Sequence, residues 1–171
     1  MKKMIVINAS PRKNKNTATL LKEVQRGAEA AGALVIGTPI YWSYPTGMFR
    51  NLIERLLFPM LRYDWDEKTN SVARYLDKKM PTALVYTMNN TPERYKMVHY
   101  DTILAPDQQY LEQFFGSCEV LNAFNTWQFP DYDKYDSGAI DVEMKKWYRE
   151  NQWPKDMAAA FDMGQRMIGK A

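Results

Sequence analysis

Residues Met4 to Leu21, MIVINASPRKNKNTATLL, join a short apolar run to a helical pattern through a polar loop, and this order restricts the fold more than any other stretch. Met4 to Ile7 is apolar and rich in β-branched residues, which predicts a buried central strand, covered on both faces as in a parallel sheet. After Thr17, the residues Ala18, Leu21, Val24, Ala28 and Ala31 recur at helical spacing. Strand, polar loop and helix in this order form an anion-binding geometry. The first turn of a helix leaves N–H groups unpaired and carries the positive end of the macrodipole, so a phosphate is stabilised there. Ser10, Asn16 and Thr17 offer side-chain hydrogen bonds, and Arg12 offers a charged contact to phosphate oxygens. The same residues also suit an ordinary N-cap with no ligand. The stretch has neither Gly-x-Gly-x-x-Gly nor Gly-Lys-Ser/Thr, which points away from dinucleotides and nucleoside triphosphates and towards a monophosphate.

A chain of 171 residues is long enough for one domain with a full core, and residues 1–171 read as one. The formal charge of +3 is mildly basic. Lys and Arg are interspersed with Asp and Glu, so nucleic acid is not an expected partner. Cys118 is the single cysteine, which excludes an internal disulfide and gives no support to a cysteine-ligated metal site; no metal is expected. The N-terminal apolar run is too short for a signal segment and no run reaches transmembrane length. The expected location is therefore cytoplasmic, with no membrane contact.

The first helix is expected to end near Gly32, and Ala33 to Ile36 to open a second buried strand. Gly37 to Gly47, GTPIYWSYPTG, then reads as a loop at that strand's C-terminal end, the edge where open α/β sheets bind ligands. Pro39 and Pro45 stiffen it, and Tyr41 and Trp42 either wall a flat ring or pack as core. Phe49 to Phe58 reads as a helix ended by Pro59. Met60 to Lys79 has no clear period, and its Tyr63, Trp65 and Tyr75 line a cleft, cover a subunit interface or pack beneath a long loop. Thr82 to Thr87 predicts a third buried strand. Ala105 to Phe115 predicts a helix stopped by Gly116, and Glu119 to Trp127 a last strand. Val142 to Asn151 and Pro154 to Ile168 predict two closing helices. His99, isolated in a polar stretch, is expected to be exposed.

Taken together, NASPRKNKNT and GTPIYWSYPTGMFRNLIER resemble the flavodoxin-like NADPH-dependent FMN reductase family, especially the branch that includes iron–sulfur flavoproteins. The resemblance implies an α/β fold, a flavodoxin-like three-layer sandwich around a parallel sheet. It also implies FMN as cofactor, NADH or NADPH as co-substrate, a small electron acceptor such as a flavin or quinone, and assembly as a homodimer or homotetramer. By resemblance, Ser10, Arg12, Asn16 and Thr17 hold the FMN phosphate, and Pro39, Ile40, Tyr41 and Trp42 lie along the isoalloxazine. A second flavin-contacting loop falls on Thr87, Met88 and Asn89, where the family is often glycine-rich. No catalytic side chain is assigned, because the flavin carries the chemistry. One alternative is a flavodoxin-type electron carrier with no small-molecule substrate of its own; such carriers are commonly acidic, and this chain is basic. Another is a structural or regulatory descendant without cofactor.

The resemblance breaks between Ala31 and Leu34, where the family has a further strand, a cysteine-bearing loop and a helix. In the strand order 2-1-3-4-5 the first helix leads away from strand three. A direct join therefore needs a rare left-handed crossover or a first helix on the opposite face. Because both flanking motifs are intact, the expectation is that a further segment of on the order of 30 residues belongs there, with room for cysteines that would reopen the iron–sulfur question.

Overall fold

The computed structural model describes residues 4–27, 32–68, 70–74 and 79–169. Its strands are β1 (Met4–Asn8), β2 (Ala33–Tyr41), β3 (Tyr44–Pro45), β4 (Leu61–Asp66), β5 (Ser71–Arg74), β6 (Met80–Thr87) and β7 (Gly116–Ala123). Its helices are α1 (Asn16–Gly27), α2 (Gly47–Leu57), α3 (Pro92–Met97), α4 (Tyr100–Phe115), α5 (Val142–Trp147) and α6 (Trp153–Gly169). The main sheet runs β1-β2-β6-β7, all parallel, with β3 folded back antiparallel on the end of β2.

Alternate residues of the strands feed two cores. On one face Leu34, Ile36, Leu84 and Tyr86 pack under Phe49 and Ile53 of α2 and Leu111 and Phe114 of α4. On the other, Val35, Ala83, Val85 and Ala123 pack under Leu21 and Val24 of α1 and Ala160 and Met163 of α6. Helices thus cover both faces, the three-layer α/β sandwich expected from the sequence.

The direct join between the first helix and β2 is made by reversing the hand. All three crossovers step in the same direction across the sheet, yet α2 and α4 lie on one face and α1 on the other. The β1-α1-β2 unit is therefore opposite in hand to the other two. Since such units are right-handed in about 98% of cases, it is the left-handed one.

One result corrects the expectation for β1. It pairs only with β2 and is an edge strand among the described residues, with Ile5 57% exposed. β2 runs on through Pro39 to Tyr41, so the loop expected from Gly37 shrinks to Trp42 and Ser43. Met60 to Lys79 holds an antiparallel hairpin, β4-β5. Its signal was present: Leu61, Tyr63 and Trp65 alternate with Arg62, Asp64 and Asp66, the period of a half-buried strand. Thr91-Pro92 is a further helix start: Thr91 Oγ1 accepts from Arg94 N at 3.3 Å and opens α3. α4 begins at Tyr100, five residues before the predicted start at Ala105, and carries Pro106 in its second turn. β7 ends at Ala123, four residues before the predicted end. The last two predicted helices are one continuous rod joined by a π turn, Tyr148–Gln152. His99 is exposed, as expected. Ala28, Ala31 and Tyr75 lie outside the described residues, and so does the connection that leads to Gly32.

α1 lies so close to β2 that a Cβ on Gly37 would meet Leu21 Cδ1 at 2.7 Å and Thr17 Cγ2 at 2.8 Å. A Cβ on Gly47, at the start of α2, meets nothing within 4 Å. Gly37→Ala is expected to lower stability by about 1–3 kcal/mol through overpacking, and Gly47→Ala to raise it by about 0.4–1 kcal/mol. Urea unfolding of the two variants checks both signs.

Candidate functional site

Four segments meet at the C-terminal edge of the parallel sheet: those after β1, β2, β6 and β7. The first extends β1, with Ala9 N donating to Gly37 O at 2.8 Å. It then turns on itself. Ser10 N donates to Asn8 Oδ1 at 3.1 Å, Arg12 N donates to Ser10 Oγ at 3.3 Å, and Asn14 takes a left-handed φ of 58°. Thr46, the N-cap of α2, ties this segment to the second: its hydroxyl donates to Ala9 O at 2.6 Å and accepts from Phe49 N at 3.3 Å.

The second segment is a two-residue hairpin. Tyr41 pairs with Tyr44 across Trp42 (φ 50°) and Ser43 (φ 73°), the two positive angles of a type I′ turn. Asn-Gly suits that turn and Trp-Ser does not, so the backbone here is strained. The indole of Trp42 stands 97% exposed. Ser43 Oγ donates to Tyr100 Oη at 3.1 Å and fixes the turn to α4.

The third and fourth segments are fused. Met88 N donates to Ala123 O at 3.0 Å, Asn125 N to Asn90 O at 2.9 Å, and Thr126 N to Met88 O at 2.9 Å. Beyond them Trp127, Phe129 and Tyr132 form an aromatic cluster with ring centroids 4.7 and 5.3 Å from that of Tyr132. Gln128 N donates to Tyr132 Oη at 3.0 Å.

The residues singled out in the sequence divide into two groups. Arg12 and Asn16 meet the fourth segment: Asn16 Nδ2 donates to Trp127 O at 2.8 Å and Arg12 Nη1 to Gln128 O at 3.3 Å. Arg12 Nε also donates to Tyr41 Oη at 3.0 Å, with the guanidinium 5.7 Å from the ring centroid. Ser10, Arg12, Asn16 and Tyr41 therefore gather at one edge, with Trp42 and Asn89 exposed nearby. The second group faces inward. Thr17 and Thr87 are buried, their hydroxyls 2.8 Å apart, and they brace α1 against β6. Pro39, Ile40 and Met88 are buried, the last two within the core, so only their backbones border the edge.

The donor set around α1 fits an anion. Asn8 to Lys22 contains Arg12, Lys13, Lys15 and Lys22 but no acidic residue, and no acid stands in the helix's first turn. Its first-turn N–H groups have no partner inside the helix.

Sequence reasoning missed Lys145. Burial of its ammonium lowers the pKa to about 8, and the side chain is only 1% exposed. The available signal was its place three residues after Val142, on the buried stripe of a helix. The single thiol, Cys118, is buried and pushed up to about 11 by that burial, which leaves it unreactive at neutral pH.

Comparison with known proteins places this architecture. No family model matches the sequence, and no curated protein does. Solved structures match over nearly the whole chain. A provisionally named quinone reductase from Klebsiella pneumoniae is 14% identical with a TM-score of 0.63, covering 95% of this chain and 83% of that one. An NAD(P)H:quinone oxidoreductase from Methanothermobacter marburgensis is 10% identical, TM-score 0.60, covering 96% of each chain. An FMN-dependent NADH-azoreductase from Bacillus anthracis, solved with FMN, is 10% identical, TM-score 0.58, covering 95% and 100%. At such identities the likeness is one of fold: the protein is flavodoxin-like, a parallel sheet with helices on both faces.

Because Lys145 holds fewer protons in the folded chain than in the unfolded one between about pH 8 and its ordinary value of 10.5, its contribution to stability rises with pH through that window. It is a constant penalty below it. The stability of wild type relative to Lys145→Met is expected to rise by roughly 3 kcal/mol from pH 8 to 10.5, read from urea midpoints across that range.

Proposed function

We propose that the protein is an FMN-dependent oxidoreductase that uses NADH or NADPH to reduce a small acceptor such as a flavin or quinone. One observation carries this reading: a cationic, acid-free helix start and an exposed aromatic hairpin converge at one sheet edge, on a fold shared with quinone and azo reductases. Bound FMN supplies the hydride and electron chemistry. The chain's own groups bind and orient. The first-turn N–H groups of α1, Ser10, Asn16 and Arg12 receive the phosphate. Tyr41 and Trp42 border the ring, and the segment Thr87 to Asn89 offers backbone contact. Thr17 and Thr87 act behind them as a brace.

A homodimer or homotetramer belongs to the same reading. Phe58, Val72 and Tyr110 are exposed and line an open groove of about 730 Å³ between α2, β4-β5 and α4, Tyr63 and Trp65 are exposed on β4, and large exposed apolar surfaces mark interaction sites. The reading also places the protein in the cytoplasm; among the described residues no helix is long and apolar enough to cross a membrane.

The test begins with the cofactor. Heat release and chromatography are expected to yield FMN at one per chain, and FAD at that ratio would overturn the assignment. Steady-state oxidation of NADH or NADPH with a quinone or free flavin is expected, whereas its absence in an FMN-loaded protein would favour an electron carrier. Arg12→Ala should weaken FMN binding by about 1.5–3 kcal/mol with little change in the urea midpoint. An unchanged dissociation constant would remove Arg12 from the site.

A further inference from the structure

Four consecutive residues after β7 have their acceptors taken by side chains from three separate elements. Lys145 Nζ donates to Asn125 Oδ1 and to Thr126 O, both at 3.0 Å. Asn16 Nδ2 takes the next carbonyl, Trp127 O, and Arg12 Nη1 the one after it, Gln128 O. The donors of the segment are engaged on the other side, by Asn90 O, Met88 O and Tyr132 Oη. The segment is thus suspended between the end of β6 and three side chains. Two of these, Asn16 and Arg12, belong to the anion-binding loop, and the third is Lys145.

Lys145 is poorly explained as filler. Both acceptors of its ammonium are neutral, and no carboxylate among the described residues pairs with it. A buried charge without a counter-charge costs the fold free energy, whereas an apolar side chain on the same stripe would not. A donor of this reach does satisfy two inward-facing oxygens at once, beside Asn125, which holds a left-handed φ of 45°.

We infer that Lys145 is a positioning residue for the phosphate end of the site. By holding Asn125 and Thr126 it sets the carbonyls of Trp127 and Gln128, and these orient Asn16 and Arg12 towards the anion. The inference rests on the flavin reading above, but its effect on the segment is independent of any ligand.

The experiment compares FMN with riboflavin, which shares the ring and lacks the phosphate, by fluorescence titration of apoprotein. For Lys145→Met the FMN dissociation constant should rise tenfold or more and that of riboflavin less than twofold. Lys145→Gln, which keeps a donor without the charge, should fall between wild type and Lys145→Met, and it serves if the latter does not fold. An equal loss for both ligands would reveal a general scaffold role and overturn the inference, as would no loss for either. Amide exchange at Thr126 and Gln128, whose N–H groups donate to Met88 O and Tyr132 Oη, measured without ligand, should accelerate about tenfold in the variant relative to Ala83 to Tyr86 in the sheet centre; unchanged exchange also overturns it. If wild type binds neither flavin the flavin reading fails, and the exchange result still decides whether Lys145 holds the segment.

Discussion

The close contact between α1 and β2 at Gly37 governs the rest of the molecule. Because Gly37 has no Cβ, Thr17 and Leu21 settle directly on the strand, and the start of α1 is brought down onto the sheet edge. That depth lets the Thr17 hydroxyl reach Thr87 on β6 and sets the loop before it beside the end of β2. A helix held one side chain higher would lift Arg12 and Asn16 away from the segment after β7. The same contact is the seam of the reversed crossover, so the least common topological feature of the chain and its candidate site share one packing constraint.

The sequence made the faces of the sheet legible and left its edges obscure. Apolar runs such as Ala33 to Ile36 and Thr82 to Thr87 announce burial, and they lie in the centre, as read. Met4 to Ile7 has the same composition and lies at an edge, because composition reports whether side chains meet a core and is silent on how many neighbours the backbone pairs with. The handedness problem was visible as well, since it follows from the absence of a strand between α1 and β2, though which of the two solutions holds depends on which face α1 packs against.

The site was legible where its chemistry is carried by residue type and hidden where it is carried by backbone. Ser10, Arg12 and Asn16 stand out as donors in a loop before a helix, and they do gather. The turn at Trp42 and Ser43 was not legible, because neither residue signals positive φ; the pairing of Tyr41 with Tyr44 imposes it. Thr17 has the right chemistry for a ligand contact, and only the fold shows that its hydroxyl lies 2.8 Å from that of Thr87, a partner seventy positions away. Lys145 is separated by more than a hundred residues from Arg12, and only the folded segment after β7 connects the two.

The two helical layers also have different histories along the chain. Most of the face covered by α2 and α4 lies between Leu34 and Val120, with Ile7 and Ala9 joining it from before and Phe124 from just after. The opposite face joins α1, near the start, to α6, which ends at Gly169. During synthesis the first layer can close while α6 is still being made, whereas α1 must wait, its apolar stripe half covered, until α6 has emerged. The loop at the head of α1, proposed to receive the phosphate, belongs to that late layer. A stable seat for the start of α1 is therefore acquired only once α6 is in place, and a nascent chain stalled before Trp153 would carry an assembled sheet with the candidate site still unsupported.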